Sequence, residues 1–302
     1  VTSSSPVPGT GLPTGPGPGA GPVAGAPSAP VTDPALAADP TPGAALAPVT
    51  DPARSVRRAD HLGLEVLLVL GVSLGISAIS SWINFLDIQT RGGFRNATAT
   101  LNPSESPRAW VDLSYQLLGI LNGVVPALLA LLLLSRVPAL PGFGIGLDRL
   151  RGKRETLQGL GIAALIGLPG LGLVVLARHL GINAQLEASG IADVWYRYPI
   201  LIAEGIQNGV LEEIVMIGYL LTRLRARNWP AWQAIGVSAL IRGSYHTYQG
   251  IGGFVGNLVM GALFGWWFTR TKRVLPLVIA HSVIDIVSFV GYAALHGRVG
   301  WI

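Results

Sequence analysis

From residue 64 onward, hydrophobic residues fall into runs of about span length, divided by short charged or glycine-rich stretches. Roughly twenty apolar residues carry an α-helix across the hydrocarbon core of a bilayer. The pattern predicts spans near 64–86, 115–135, 157–178, 199–224, 231–248, 251–269 and 274–295. Two of them are not uniformly apolar. The fourth contains Glu204, Glu212 and Glu213, and the fifth is short and contains Arg242. A charge at the bilayer centre costs about 2.5–3.5 kcal/mol even on the milder insertion scales, so these two helices fit only if the others enclose them. The region 179–198 has room for an interfacial helix around Trp195 and Tyr196. The expected fold is all-α: a polytopic transmembrane helix bundle of about seven spans, eight at most.

Composition agrees. Half of the residues are hydrophobic and 12% are charged, about half the charged share of soluble domains. There are no cysteines, which excludes disulfides, thiolate zinc sites, iron–sulfur clusters and a cysteine nucleophile. The formal net charge of +5 comes from residues that flank the spans. Arg54, Arg57 and Arg58 precede the first; Arg136, Arg149, Arg151, Lys153 and Arg154 follow the second; Arg223, Arg225 and Arg227 follow the fourth; Arg270, Lys272 and Arg273 follow the sixth. This is a topology signal and no nucleic-acid patch, although Arg91, Arg95 and Arg108 lie in the first loop on the opposite side. By the positive-inside rule the N-terminus is cytoplasmic and the C-terminus exterior. No cleavable signal peptide is expected. Residues 1–53 are rich in Pro, Gly, Ala, Ser and Thr, without an aromatic. Such a segment buries too little apolar area to offset its chain entropy and is expected to be a disordered cytoplasmic tail, ahead of a transmembrane domain spanning 54–302.

The polar residues inside spans carry the candidate chemistry. Glu204, Asn208 and Glu212 recur every four residues and form one stripe of a helix, which Tyr219 continues, while Glu213 points about 100° away. Arg242 and His246 share a face, and Arg242 needs a carboxylate partner, Glu213 or Glu212. His281 and Asp285 are again four apart, the spacing at which a carboxylate orients an imidazole. Glu212, His246 and His281 lie at similar depths, roughly 10–20 Å from the cytoplasmic ends, so they can meet in one layer. The same acids would also serve a proton relay in a transporter. His61, His179 and His296 fall at or outside span ends and read as solvated. Gly252, Gly256, Gly261 and Gly265 read as helix-packing positions, and Trp266 and Trp267 as an interfacial belt.

In order and spacing, these residues resemble the CPBP family of intramembrane proteases, which includes CAAX-processing Rce1-like endopeptidases and the bacteriocin-related Abi proteins. The first family motif, a Glu-Glu pair followed after three residues by Arg and usually Gly, reads Glu212-Glu213-Ile214-Val215-Met216-Ile217-Gly218. The second, Phe-x-x-x-His, reads Arg242-Gly243-Ser244-Tyr245-His246, and the last, His-x-x-x-Asn or similar, reads His281 to Asp285. Two departures stand out: Ile217 at the arginine position and Arg242 at the phenylalanine position. Arg242 is a candidate to supply across the helix interface the charge missing at 217. The resemblance covers about residues 200–290.

The resemblance implies a membrane hydrolase acting on a membrane-associated protein or peptide, in a plasma membrane of bacterial type. It makes Glu212 the general base for a water, His246 the holder of that water or of a metal bearing it, His281 with Asp285 the oxyanion stabiliser, and Glu213 the orienting charge. His246, His281 and Glu212 form a candidate Zn2+ set, making a metalloprotease one form of the mechanism. Two other readings fit the same residues: a noncatalytic relative that scaffolds a membrane protein, and a proton- or ion-coupled transporter. Internal repeats would favour a transporter, and the sequence has none.

Overall fold

The computed structural model of this chain describes residues 52–136, 144–148 and 151–296, with side chains from residue 61 onward. The expected tail, up to residue 51, and Arg149 lie outside the described residues, as do the side chains of Arg54, Arg57 and Arg58.

The first predicted span is a broken helix. Helix α1 (Pro52–Gly71) and helix α2 (Leu74–Thr90) meet at a bend of 55°. Gly71 and Ser73 mark the break, and Ser73 Oγ donates to the Val69 carbonyl at 2.6 Å, satisfying the end of α1. Glycine and serine are a common cause of such kinks. A short parallel pair follows, β1 (Thr98–Thr100) with β2 (Gln185–Glu187), in the register Thr98 to Gln185, Ala99 to Leu186 and Thr100 to Glu187.

Helices α3 (Ala109–Ser135), α4 (Gly152–His179), α8 (Ile251–Thr271) and α9 (Leu275–Leu295) are long and apolar enough to cross a membrane. They contain the spans expected at 115–135, 157–178 and 251–269 and nearly all of that at 274–295. Counting the bent α1–α2 pair as one gives five, so the expected seven is not confirmed. The fourth predicted span is α5 (Arg197–Glu212), which runs through a π-helical stretch (Glu213–Tyr219) into α6 (Leu220–Ala226). The fifth is α7 (Ala231–Ser244), 14 residues, or ~21 Å at 1.5 Å per residue. Both are enclosed. Helix α5 packs between α3 and α9, and α7 packs against α8 and α2.

The interfacial helix expected at 179–198 is not formed. Gly181, at φ +71°, ends α4, and the following residues make β2 and turns. Asn183 bridges to Gly250. The expected aromatic pair is split: Trp195 is 81% exposed, while Tyr196 is buried and its hydroxyl donates to Asp112 Oδ2 at 2.8 Å. Trp266 and Trp267 divide in the same way, Trp266 facing outward and Trp267 packing on the core. His61, His179 and His296 are exposed.

Burial shows which surface meets lipid. Leu121, Leu132, Leu165 and Leu168 on α3 and α4 are exposed, an apolar band too broad for a soluble surface. The core is centred on the π stretch, all seven residues of which are buried, with Leu134, Phe264, Phe268 and Leu277 around it. Ion pairs tie the basic end: Arg273 Nε to Glu155 Oε1 at 2.6 Å and Arg223 Nε to Glu65 Oε1 at 2.8 Å. Tyr219, expected to extend the acidic stripe, instead donates to Glu65 at 2.8 Å. The π geometry changes the angular step after Glu212 and turns Tyr219 toward α1.

Glycines set the closest helix approaches. A Cβ on Gly209 of α5 would stand 2.9 Å from the Ser282 nitrogen and from the Val278 carbonyl of α9. Gly209→Leu should therefore prise α5 from α9, costing about 3 kcal/mol, near the upper end for overpacking. Thermal unfolding of purified protein should show Tm lowered by roughly 6–12 °C. Gly161→Ala, at an open position on α4, should leave Tm unchanged.

Candidate active site

Four segments bring the polar residues together: the junction of α5 with the π stretch, the end of α7, the turn after it, and the second and third turns of α9. The π stretch begins at Glu213. Such stretches are rare and concentrate at functional sites. The register change leaves carbonyls for outside donors, and Ser238 of α7 donates to the Met216 carbonyl at 2.8 Å. This bond fixes α7 against the stretch and sets the height of Arg242.

Glu213 is fully buried and is the hub. Its Oε1 accepts from Arg242 Nη2 in a short ion pair. The same oxygen lies 2.8 Å from His281 Nδ1. A carboxylate only accepts, so Nδ1 carries the proton in this contact. Glu212 faces elsewhere. Its Oε2 accepts from the Tyr245 hydroxyl at 2.6 Å and lies 3.5 Å from Arg242 Nη2. The Glu212 side chain is 11% exposed and that of Glu213 is 0% exposed. Of the two adjacent acids, only Glu212 is within reach of a guest.

Asp285 lies one turn beyond His281. Its Oδ1 is 3.7 Å from His281 Nε2, too long for a hydrogen bond, and its Oδ2 accepts from Asn208 Nδ2 at 3.1 Å. His281 is therefore anchored by Glu213 across the helix interface, and the i, i+4 pairing with Asp285 is the weaker contact. His246 follows Tyr245 in the turn between α7 and α8, its ring centroid 4.7 Å from that of Tyr245. Helix α2 holds this turn, because Ser81 Oγ donates to the Tyr245 carbonyl at 2.9 Å.

Arg242 is fully buried beside the Phe264 ring, with its guanidinium carbon 5.6 Å from the centroid. Gly261 of α8 makes the room: a Cβ there would stand 3.1 Å from Arg242 Cδ. Ile217, at the family's arginine position, is buried in the apolar core. Arg242 Nη2 stands between two carboxylates, Glu212 and Glu213. Several buried polar atoms have no partner among the described residues: Glu213 Oε2, Arg242 Nε and Nη1, His246 Nδ1 and Ser282 Oγ. Unpaired atoms at this density are rare in a structural core and ask for a functional account.

The candidate zinc set does not fit. Among the described residues, no three His, Asp or Glu side chains are grouped so as to hold a metal ion. His281 directs Nδ1 to Glu213 and Nε2 toward Asp285, and Glu212 is engaged by Tyr245. Sequence reasoning singled out neither Tyr245 nor the Asn208–Asp285 contact. Both had a local signal. Tyr245 directly precedes His246, and Asn208 belongs to the stripe that ends at Glu212. Tyr245→Phe removes a hydrogen bond to a charged group, worth ~1.5–3 kcal/mol. The variant should unfold at lower temperature than wild type in a thermal melt.

Residues 194–287 match the family model described as type II CAAX prenyl endopeptidase Rce1-like. The matched segment runs from just before α5 into α9 and contains every residue of the site. Over these residues the chain is similar to that family, in agreement with the resemblance of its motifs. Neither the comparison with curated proteins nor that with solved structures gives a match.

Proposed function

We propose that this protein is an intramembrane endopeptidase that hydrolyses a peptide bond of a membrane-associated protein or peptide, with Glu212 as general base. The observation that carries this reading is the unequal environment of the adjacent acids: Glu213 is buried and held by Arg242 and His281, while Glu212 is partly exposed and held on one oxygen by Tyr245. Paired acids in divergent surroundings suit divided roles.

The step balances with one water. Glu212 takes a proton from a water oriented by His246 Nδ1, and the water oxygen bonds to the scissile carbonyl carbon. His281, protonated on both ring nitrogens and held through Nδ1–H by Glu213, donates Nε2–H to the oxyanion, a contact that strengthens as charge develops. Collapse breaks the C–N bond, and Glu212 passes its proton to the leaving nitrogen. Asp285, held by Asn208, orients and balances this end of the site. No step runs through a metal.

A noncatalytic membrane scaffold is the second reading, favoured by Ile217 at the arginine position. Quantitative proteomics of membranes from cells carrying wild type or Glu212→Gln separates the two. A peptidase yields at least one peptide whose cleavage disappears with the variant. A scaffold yields none and tolerates Glu212→Gln, His246→Ala and His281→Ala together.

A further inference from the structure

Between α3 and α5 lies a polar crevice of about 400 Å³ that the catalytic scheme does not use. It is bounded by Asn102 and Glu105 in the loop after β1, by Gln116 and Asn122 of α3, and by Glu204 and Asn208 of α5. The loop end lies opposite the basic end of the bundle. The inner end is Asn208, whose amide holds Asp285 next to His281.

The lining is polar and carries two carboxylates, Glu105 and Glu204, beside the side chains of Tyr115, Asn122 and Gln207. Asn102 commits its amide nitrogen to the Ala188 carbonyl at 2.7 Å, and Gln116 to the Pro103 carbonyl at 2.9 Å. Asn208 commits its own to Asp285 at 3.1 Å. Glu105 stands exposed at the mouth. Glu204 Oε2 is buried without a hydrogen-bond partner, and no lysine or arginine lines the crevice among the described residues. A carboxylate in such a place is costly unless a cation joins it. The guest that suits these walls carries positive charge and donates to Glu204.

We propose that this crevice seats a basic side chain, lysine or arginine, of the peptide substrate, and so selects what is cut. This rests on the peptidase reading for the word substrate, but the charge preference is a binding property and can be measured without cleavage. Glu204 and Glu212 are eight residues apart on one helix, ~12 Å. An extended peptide covers that distance in about three or four residues. The basic residue therefore lies about three or four positions from the scissile bond.

The test uses full-length protein in nanodiscs and palmitoylated, fluorescent alanine–leucine peptides that differ only in a lysine or glutamine scanned along the chain. Binding is read by anisotropy in the Glu212→Gln background, and cleavage in wild type. At the best position lysine should bind about tenfold tighter than glutamine, equivalent to one well-placed charge contact. Glu204→Gln should bring the ratio below two, and Glu204→Asp should retain part of it. Asn122→Lys, which adds a cation from the exposed side of α3, should abolish the preference without altering Glu204. A lysine-to-glutamine ratio near one, or a ratio unchanged by Glu204→Gln and by Asn122→Lys, overturns the proposal. Cleavage without charge preference refutes the seat and leaves the peptidase standing. Charge-selective binding with no peptide cut by wild type does the reverse.

Discussion

Glu212→Gln should slow cleavage by about 10³-fold, within the 10²–10⁴ range that general acid–base catalysis supplies, while the protein still folds. The amide keeps the size of the carboxylate and can still accept from the Tyr245 hydroxyl, so the contact at 2.6 Å survives in form. What it loses is basicity. Glu212→Asp retains the base but withdraws it by one methylene, and misplacement of about 1 Å can itself cost 10²-fold. Single-turnover cleavage of a peptide found by the membrane proteomics, followed for both variants, gives the comparison. A Glu212→Gln protein that cleaves within threefold of wild type removes Glu212 from the role of base and leaves the mechanism without one.

Arg242→Ala should be the most damaging substitution for the fold. It leaves Glu213 buried without its cation and Glu212 without its neighbour at 3.5 Å. Removing one partner of a buried pair costs about 3–5 kcal/mol, a large part of the 5–15 kcal/mol that typically holds a folded domain. The expected result is loss of monodisperse protein on size-exclusion chromatography, or a Tm far below wild type. Arg242→Lys should rescue incompletely, because one ammonium does not reproduce the guanidinium fork. Removing both charges together, as Arg242→Met with Glu213→Gln, should restore folding but not activity, since His281 loses its ionised anchor. If Arg242 supplies the charge that the family carries at 217, then Ile217→Arg should partly rescue Arg242→Ala. Failure of that rescue, with Arg242→Ala as stable as wild type, would show that the guanidinium is dispensable.

The departures at 217 and 242 illustrate what a motif comparison conveys. The sequence shows an arginine out of place and a carboxylate in need of one, and membrane energetics requires that they meet. It does not show that Glu213 rather than Glu212 is the closer partner, because that depends on the π register beginning at Glu213. An α-helical projection of the same residues puts Tyr219 on the acidic stripe, whereas it lies against Glu65 of α1. The anchoring of His281 was misjudged for a related reason. Spacing suggests Asp285, a neighbour on its own helix, but the shorter contact comes from Glu213 across the α5–α9 interface, where Gly209 lets the two helices close.

The apolar runs by themselves determined a membrane helical bundle, since burying a helix in lipid needs only length and apolarity. The order Glu212–Glu213, His246, His281 carried the family resemblance and the candidate residues. Only the tertiary structure decided which acid is fully sealed and which keeps a narrow opening, and that a polar crevice lies between α3 and α5 with Asn208 at its inner end. Those properties depend on distances between segments remote in the chain, set by glycine contacts and a local change of helical register. Linear spacing carries no record of either.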